Sequence, residues 1–529
     1  MRKIFKLIVP VFAGAALFSS CSSEEDKTEN LKHSTDYNML SSIDHLAVVG
    51  SIDLLQIIEK SGFESNPNLP SEAGAMYKMM VKEKLDADKT GIDLSGNNHF
   101  AVSIVDPEKP DFVVYCAKVT NADNAKHTVQ DLLKGTYTKE EIDGTEYQFV
   151  VDDEVAVAWD DKDIVLVFSD QEKPKEIAKD LLLARFVDGP DADKGMEDYL
   201  KQHDDMNIYV QVGNSKDFLK AQNADFPEEM LNSLEDAYYV GSGNFNNGEI
   251  VFDWNIHAEG IKNSEYNALA ADAINESFYN YLTAENLIAF GTASINMEAI
   301  FNALEFAQNK DFSFDKFEDQ TGLSKQMMQE MFTGEFALSF VDIQMVEMGT
   351  NTADMQVSKD DFFEESYSYN EEVPVIIFTA GIGDSTKFGE LLRLSGEAKT
   401  MNGVYQMDKD AFITFHKDKL ILTTDQATAA YFASGQSYPK YSIPGGVNGK
   451  PLFGFANTNP MKMPAGLMKM AENEEGEIAV SFMGLFESVV FEGEFEHMEF
   501  RASMNNKSEN ALKVITDFVI SMIKEKQMI

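Results

Sequence analysis

Two stretches of this chain repeat one hydrophobic pattern, and that repetition limits the folds open to it more than any other feature. Residues 147–170, YQFVVDDEVAVAWDDKDIVLVFSD, alternate apolar runs with short acidic turns, as consecutive β-strands do. Residues 405–425, YQMDKDAFITFHKDKLILTTD, open on the same Tyr-Gln pair and carry the same strand–turn–strand pattern. Other matches keep the same order. Ser51-Ile52-Asp53 corresponds to Ser294-Ile295-Asn296, Phe100-Ala101-Val102-Ser103 to Phe336-Ala337-Leu338-Ser339, Asp143-Gly144 to Asn402-Gly403, and Ser264-Glu265-Tyr266-Asn267-Ala268-Leu269 to Ser508-Glu509-Asn510-Ala511-Leu512. Ordered matches of this kind point to an internal duplication.

Between the hairpins the apolar period changes from 2 to 3.6, so each half reads as strand pairs with helices between them. The expected class is α+β, two homologous domains, each a mostly antiparallel sheet with helices packed on it. The domains are expected over residues 37–275 and 276–529. At 529 residues the chain also exceeds what one core usually supports.

Residues 1–20 stand outside that plan. Arg2, Lys3 and Lys6 precede an apolar run from Leu7 to Phe18, then Ser19, Ser20 and Cys21. That is the order of a signal peptide, and the apolar run is too short to span a bilayer. Cys21 after small residues resembles a lipobox, which makes it the expected site of lipidation. Residues 21–36 are expected to be a flexible acidic tether. Its opening, Ser22-Ser23-Glu24-Glu25-Asp26, resembles the acidic export signal of Bacteroidota surface lipoproteins. The expected location is therefore the outer membrane, lipid-anchored and facing the periplasm or the cell surface, with the membrane reached through the anchor on Cys21.

The formal net charge of −45 excludes nucleic acid as a partner, because such a field repels phosphate backbones. It does not imply disorder, since 44 % of residues are hydrophobic and 11 % aromatic. With Cys21 lipidated, only Cys116 remains, in the apolar run Phe112-Val113-Val114-Tyr115-Cys116-Ala117, and it reads as a buried, inert thiol.

The pattern Val48-Val49-Gly50-Ser51-Ile52-Asp53-Leu54-Leu55, the Glu59-Lys60-Ser61-Gly62 that ends the helix after it, and the turn Thr90-Gly91-Ile92-Asp93-Leu94 resemble a family of large Bacteroidota lipoproteins known only as a domain of unknown function. The likeness covers most of the chain in general pattern. Its motifs are structural, so it implies an envelope lipoprotein and no activity.

Motifs that carry chemistry are sparse. The eight His residues are not paired at metal-ligand spacing, and HExxH, CxxC and GxSxG patterns are missing. Gly381-Ile382-Gly383 follows a strand but reads as a tight turn into a helix. Asp86, Asp88 and Asp93 sit in an EF-hand-like spacing, which makes Ca²⁺ the one candidate ion; Asn97 occupies the position that needs a bidentate Glu, and Asp93 the one that needs an apolar residue. No cofactor is expected. Residues 349–373 have no counterpart in the first half, where only Pro107 to Pro110 fill the gap. This acidic insertion interleaves Phe362, Phe363, Tyr367 and Tyr369 with carboxylates, and the aromatics are candidate partner contacts.

The leading expectation is a non-enzymatic envelope lipoprotein, a binding or scaffold component whose partner is an envelope protein or a glycan. The alternatives are a carboxylate-based hydrolase acting on carbohydrate and an adhesin stabilised by divalent cations.

Overall fold

The computed structural model describes residues 34–69, 82–96, 98–104, 111–142, 144–169, 173–187, 194–213, 228–262, 273–282, 287–306, 324–349, 368–383, 385–394, 399–408, 411–439, 450–459 and 474–527, with Gly74, Tyr77, Asn267, Glu318, Met463 and Met468 besides. The chain is α+β, with mostly antiparallel strands, and it divides into two compact units. The first takes residues 1–267 and the C-terminal segment 493–529, which sequence reading places in the second domain; the second holds most of residues 268–492.

The first unit contains β1 (Leu46–Ile52), β2 (Ile92–Asp93), β3 (Asn98–Ser103), β4 (Phe112–Val119), β5 (Thr136–Ile142), β6 (Thr145–Asp152), β7 (Val155–Trp159), β8 (Asp163–Phe168), β9 (Met206–Gln211), β10 (Tyr238–Asn246) and β11 (Glu249–His257). Antiparallel pairing orders them 5-6-7-8-4-3-1-9-10-11, and the strand His497–Met504 adds to the β11 edge. Strand β2 pairs with β4.

Both faces of this sheet are apolar, so both need cover. On one face Tyr37, Met39 and Leu40 of the helix Thr35–Ser41, Ala178, Leu181 and Leu182 of Pro174–Ala184, and Tyr199 of Lys194–Leu200 pack on Val49, Ala101, Val114 and Val167. On the other, Ala125 and Val129 of the helix Ala122–Leu132 cover Val150, Val157, Trp159 and Ile164. Two of these helices start where a side chain caps their free amides, whereas Pro174–Ala184 starts with Pro at its first position after Lys173, without a side-chain cap. Ser34 accepts from the Tyr37 amide and Asn121 from the Asn124 amide.

The second unit contains β12 (Ala289–Ser294), β13 (Phe332–Gly349), β14 (Ser368–Ile382), β15 (Lys399–Met401), β16 (Val404–Asp408), β17 (Ala411–His416), β18 (Lys419–Thr423), β19 (Leu452–Asn457) and β20 (Phe486–Glu494). Their order is 15-16-17-18-14-13-12-19-20, the order of the first unit. The register agrees at the strands that carry Ser51 and Ser294. Gly50, Val49 and Ser51 stand opposite Phe100, Ala101 and His99, as Ala293, Thr292 and Ser294 stand opposite Phe336, Ala337 and Glu335. The hairpin β17–β18 sits two residues along from β7–β8: Ile164 faces Ala117, two residues beyond the Tyr115 that faces Phe100, whereas Leu420 and Phe336 both face Ala380. An even slip keeps every side chain on its face.

The shared Tyr-Gln pair is not part of this correspondence. Tyr147 packs on the face covered by the helix Pro174–Ala184, whereas Tyr405 packs with Phe388 and Phe415 beneath the helix Ser385–Leu394. Asn402 and Gly403 both have positive φ, as the two-residue turn into β16 requires. The flanks of the insertion are also more regular than expected: β13 and β14 run on as a ribbon to the pair Gly349 and Ser368.

One polar corner ties the first unit together. The Arg185 guanidinium, at the end of the helix Pro174–Ala184, is buried and donates to both Asp160 and Asp163 in the β7–β8 turn. Asp163 also accepts from Lys118, which binds Asp36 of the first helix, and Asn38 of that helix donates to the Arg185 carbonyl at 3.2 Å. Burial favours protonation of Asp160, but hydrogen bonds from Arg185 and from the amides of Asp163 and Lys162 outweigh it and hold its carboxyl below the ordinary range. Arg185→Met strands two buried carboxylates and is expected to cost about 3–5 kcal/mol in urea unfolding. Adding Asp160→Asn and Asp163→Asn should restore more than half of that loss; a cost below about 1 kcal/mol for the single change would show that the corner does not anchor the unit.

Candidate functional site

A concavity lies in the first unit, against the helix Leu54–Lys60. That helix follows directly on β1, with Asp53 capping it through the Gln56 amide at 2.9 Å. Its apolar residues recur at helical spacing, yet none of its residues is fully buried. Leu55 and Ile58, three apart on one face, form the floor with Leu85 and Ala87, and Tyr77 closes one side. Gly62, in the left-handed conformation, turns the chain so that Glu64 and Ser65 reach the rim. The cavity is about 580 Å³, within the range of small-molecule sites.

Charge is placed at the rim. Lys82 pairs with Glu64, while Lys60 turns away and donates to both carboxylate oxygens of the fully buried Asp205 at 2.7 Å. Asp205 also accepts from Gln56 at 2.6 Å and from the Phe245 amide at 2.8 Å. Lys60 therefore pins the helix to the sheet and leaves its neighbour Glu59 facing the groove.

The candidate metal ligands are not brought together. Asp86 caps the short helix Ala87–Thr90 through the Asp88 amide, and Gly91 ends it at φ +73°. Asp93 accepts from the amide and hydroxyl of Ser95. A Cβ on Gly91 would lie 2.2 Å from the Asn121 carbonyl oxygen, so this glycine seats the turn against the next helix cap. Among the described residues no cluster of three or more His, Cys, Asp or Glu could hold a metal ion. Cys21, Phe362, Phe363 and Tyr367 lie outside the described residues; Tyr369 is a residue of β14, opposite Met348 in β13.

Cys116 is buried, and burial raises its thiol far above the ordinary value. It belongs to a feature that sequence does not reveal, a single cross-strand row of buried polar residues running Asp253–Ser242–Asn207–Ser51–His99–Cys116. Asn207 donates to the Ser51 hydroxyl at 3.1 Å, and His99 Nδ1 lies 2.9 Å from the Tyr199 hydroxyl. Asp253 is hydrogen-bonded to His497 Nε2 at 3.1 Å, across the junction of β11 with the C-terminal strand. The shifted groups of this row face structural partners, not the groove.

No protein-family model matches the chain, and no curated protein matches it. Two solved structures of TP0453 align with it. Crystal form IV does so at 10 % identity and a TM-score of 0.25, over 41 % of this chain and 78 % of that one. Crystal form I does so at 11 % and 0.23, over 42 % and 77 %. At those scores the likeness carries no argument about function.

The row makes stability depend on pH in two opposed ways. Burial holds His99 at about 4, against 6.5 for a free imidazole, so the unfolded chain binds the proton more readily and stability is lost as pH falls from 6.5 toward 4. Burial raises Asp253 to about 6, with His497 partly offsetting it; the folded state then holds that proton more tightly, and stability is lost as pH rises from about 3.8 through 6. Each effect is worth up to about 3 kcal/mol. His99→Gln should flatten the acid limb of Tm between pH 6.5 and 4. Asp253→Asn should gain on the wild type between pH 5 and pH 8, and a difference in Tm that does not change with pH would contradict the assignment.

Proposed function

We propose that this chain is a non-enzymatic lipoprotein of the cell envelope, anchored at the outer membrane through Cys21, that binds a small ligand and arose by duplication of one α+β domain. The basic, apolar and small-residue order before Cys21 supports the anchor. Equal strand order, equal register at Ser51 and Ser294, and helices in equivalent places after β4 and β14 support the duplication.

The observation that carries the binding reading is the groove over Leu55 and Ile58. It combines an apolar floor with a few polar groups at its rim, as ligand sites do. His99, Cys116 and Asp253, displaced by burial, are committed to the interior of the sheet. In the groove Tyr77 is raised by burial and Lys82 by its pair with Glu64, shifts that prepare neither as an acid or base near neutral pH. The chemistry of the groove is that of recognition.

Two measurements test this. Radiolabelled fatty acid should enter the wild type and not Cys21→Ala; equal labelling would remove the anchor. In the unacylated Cys21→Ala chain, the neutral apolar dye N-phenyl-1-naphthylamine should bind saturably, and Ile58→Arg should weaken it at least fivefold with Tm unchanged. Binding that ignores Ile58→Arg would place the dye elsewhere and defeat the groove.

A further inference from the structure

The groove has a polarity that selects among ligands. Its floor is apolar at Leu55, Ile58 and Leu85, and Tyr77 presents an aromatic ring whose other neighbour is Phe63, with centroids 5.1 Å apart. Three carboxylates line it, Glu59, Glu64 and Asp86, against one ammonium, Lys82. Lys82 is already held by Glu64. Lys89 approaches Asp86 only to 3.9 Å and is closer to Glu83, at 3.3 Å. Lys513, whose stem packs over Gly62, is engaged by Glu509 and Asp517 at 2.9 Å each. Glu59 is exposed and has no ion-pair partner among the described residues, because Lys60, the one cation of its helix, is taken by Asp205.

We propose that the groove takes a small amphipathic cation, an amine or quaternary ammonium carried on an apolar body. This rests on the groove being a binding site, as argued above. The apolar body displaces water from the floor, which is the main source of affinity. The cationic end lies at the rim by Glu59 and Asp86, where the surplus negative charge is compensated, and the Tyr77 ring offers a face to it. An anionic amphiphile of the same length meets the same floor but adds charge to a rim where carboxylates outnumber ammonium groups and Glu59 has no ion-pair partner among the described residues. The chain's net charge of −45 reinforces the choice by attracting cations toward the surface.

Calorimetric titrations of the Cys21→Ala chain with decyltrimethylammonium and with decyl sulfate, both below micelle formation, decide the matter. One saturable site is expected for the cation, at least tenfold tighter than for the sulfate. Glu59→Gln with Asp86→Asn, which retains the helix cap, should weaken the cation about three- to tenfold and leave N-phenyl-1-naphthylamine binding unchanged. Equal affinity for the two decyl compounds, or a preference that survives the double substitution, overturns the inference while leaving the groove as a site. Loss of the neutral dye as well in Ile58→Arg but not in the double variant confirms that the floor and the rim act separately; failure of the dye to bind the parent chain removes the binding reading itself.

Discussion

The first unit depends on keeping one guanidinium out of water beside two carboxylates. Arg185 reaches the β7–β8 turn from the end of a helix, and its carbonyl receives Asn38 from the helix Thr35–Ser41. Three segments distant in sequence are thus fixed by one residue. Desolvating such a group is costly, and the cost is met only because each carboxylate is itself satisfied. Asp160 accepts backbone amides at its own turn, and Asp163 accepts Lys118. The Arg185 Nε is buried without a hydrogen-bond partner, so the corner is satisfied at its carboxylates and not fully at its cation, and loss of any one segment would leave further buried charge unpaired.

The second unit fills the corresponding corner with other groups. Trp159 and Ile164 pair across the first turn, Phe415 and Leu420 across the second, so that His416 and Lys419 stand where Asp160 and Asp163 stand. Lys419 is buried, held by Asp418 at 2.8 Å, and its ammonium lies 4.6 Å from the Phe278 ring centroid. His416 meets the Tyr281 hydroxyl at 3.0 Å, and burial, with Lys417, keeps its imidazole below the ordinary value. Phe278 and Tyr281 belong to the segment that precedes β12, as the helix Thr35–Ser41 precedes β1. At the same place in the strand order the two units differ in chemistry, with carboxylates around a guanidinium in the first and a buried ammonium and an imidazole against aromatic rings in the second.

That difference bears on what was legible in the sequence. Alternation of period 2 places β4, β7 and β8, and capping residues such as Asn121 and Asp425 place helix starts, because both signals are local. Motif matching couples the Phe100 strand to the Phe336 strand, which hold the same place in the two strand orders, but it also couples Tyr147 to Tyr405, which pack beneath different helices. Identical dipeptides carry less information than register. The buried polar row could not be read at all: period tells which face Ser51, His99 and Cys116 share, whereas their alignment with Asn207 and Asp253 is a property of pairing between strands up to about 200 residues apart. The groove was hidden for the same reason, since Leu55, Tyr77 and Leu85 meet only after the chain turns at Gly62.

The same non-local logic separates the unit's polar investments into two kinds. Asp205, Asp160 and Asn207 are buried and spend their hydrogen-bonding capacity on fixing helices and strands, so their replacement is a question of stability. Glu59 is exposed on a helix whose neighbouring Lys60 performs the fixing, so it is left without a structural task while lining an apolar floor. A helix held through Lys60 and Gln56 on Asp205 can present Glu59 to solvent without loss of its anchor. Lys60 and Glu59 are adjacent in sequence yet divide the two duties between them, and that division makes the rim of the groove free to vary in charge while the wall beneath it stays in place.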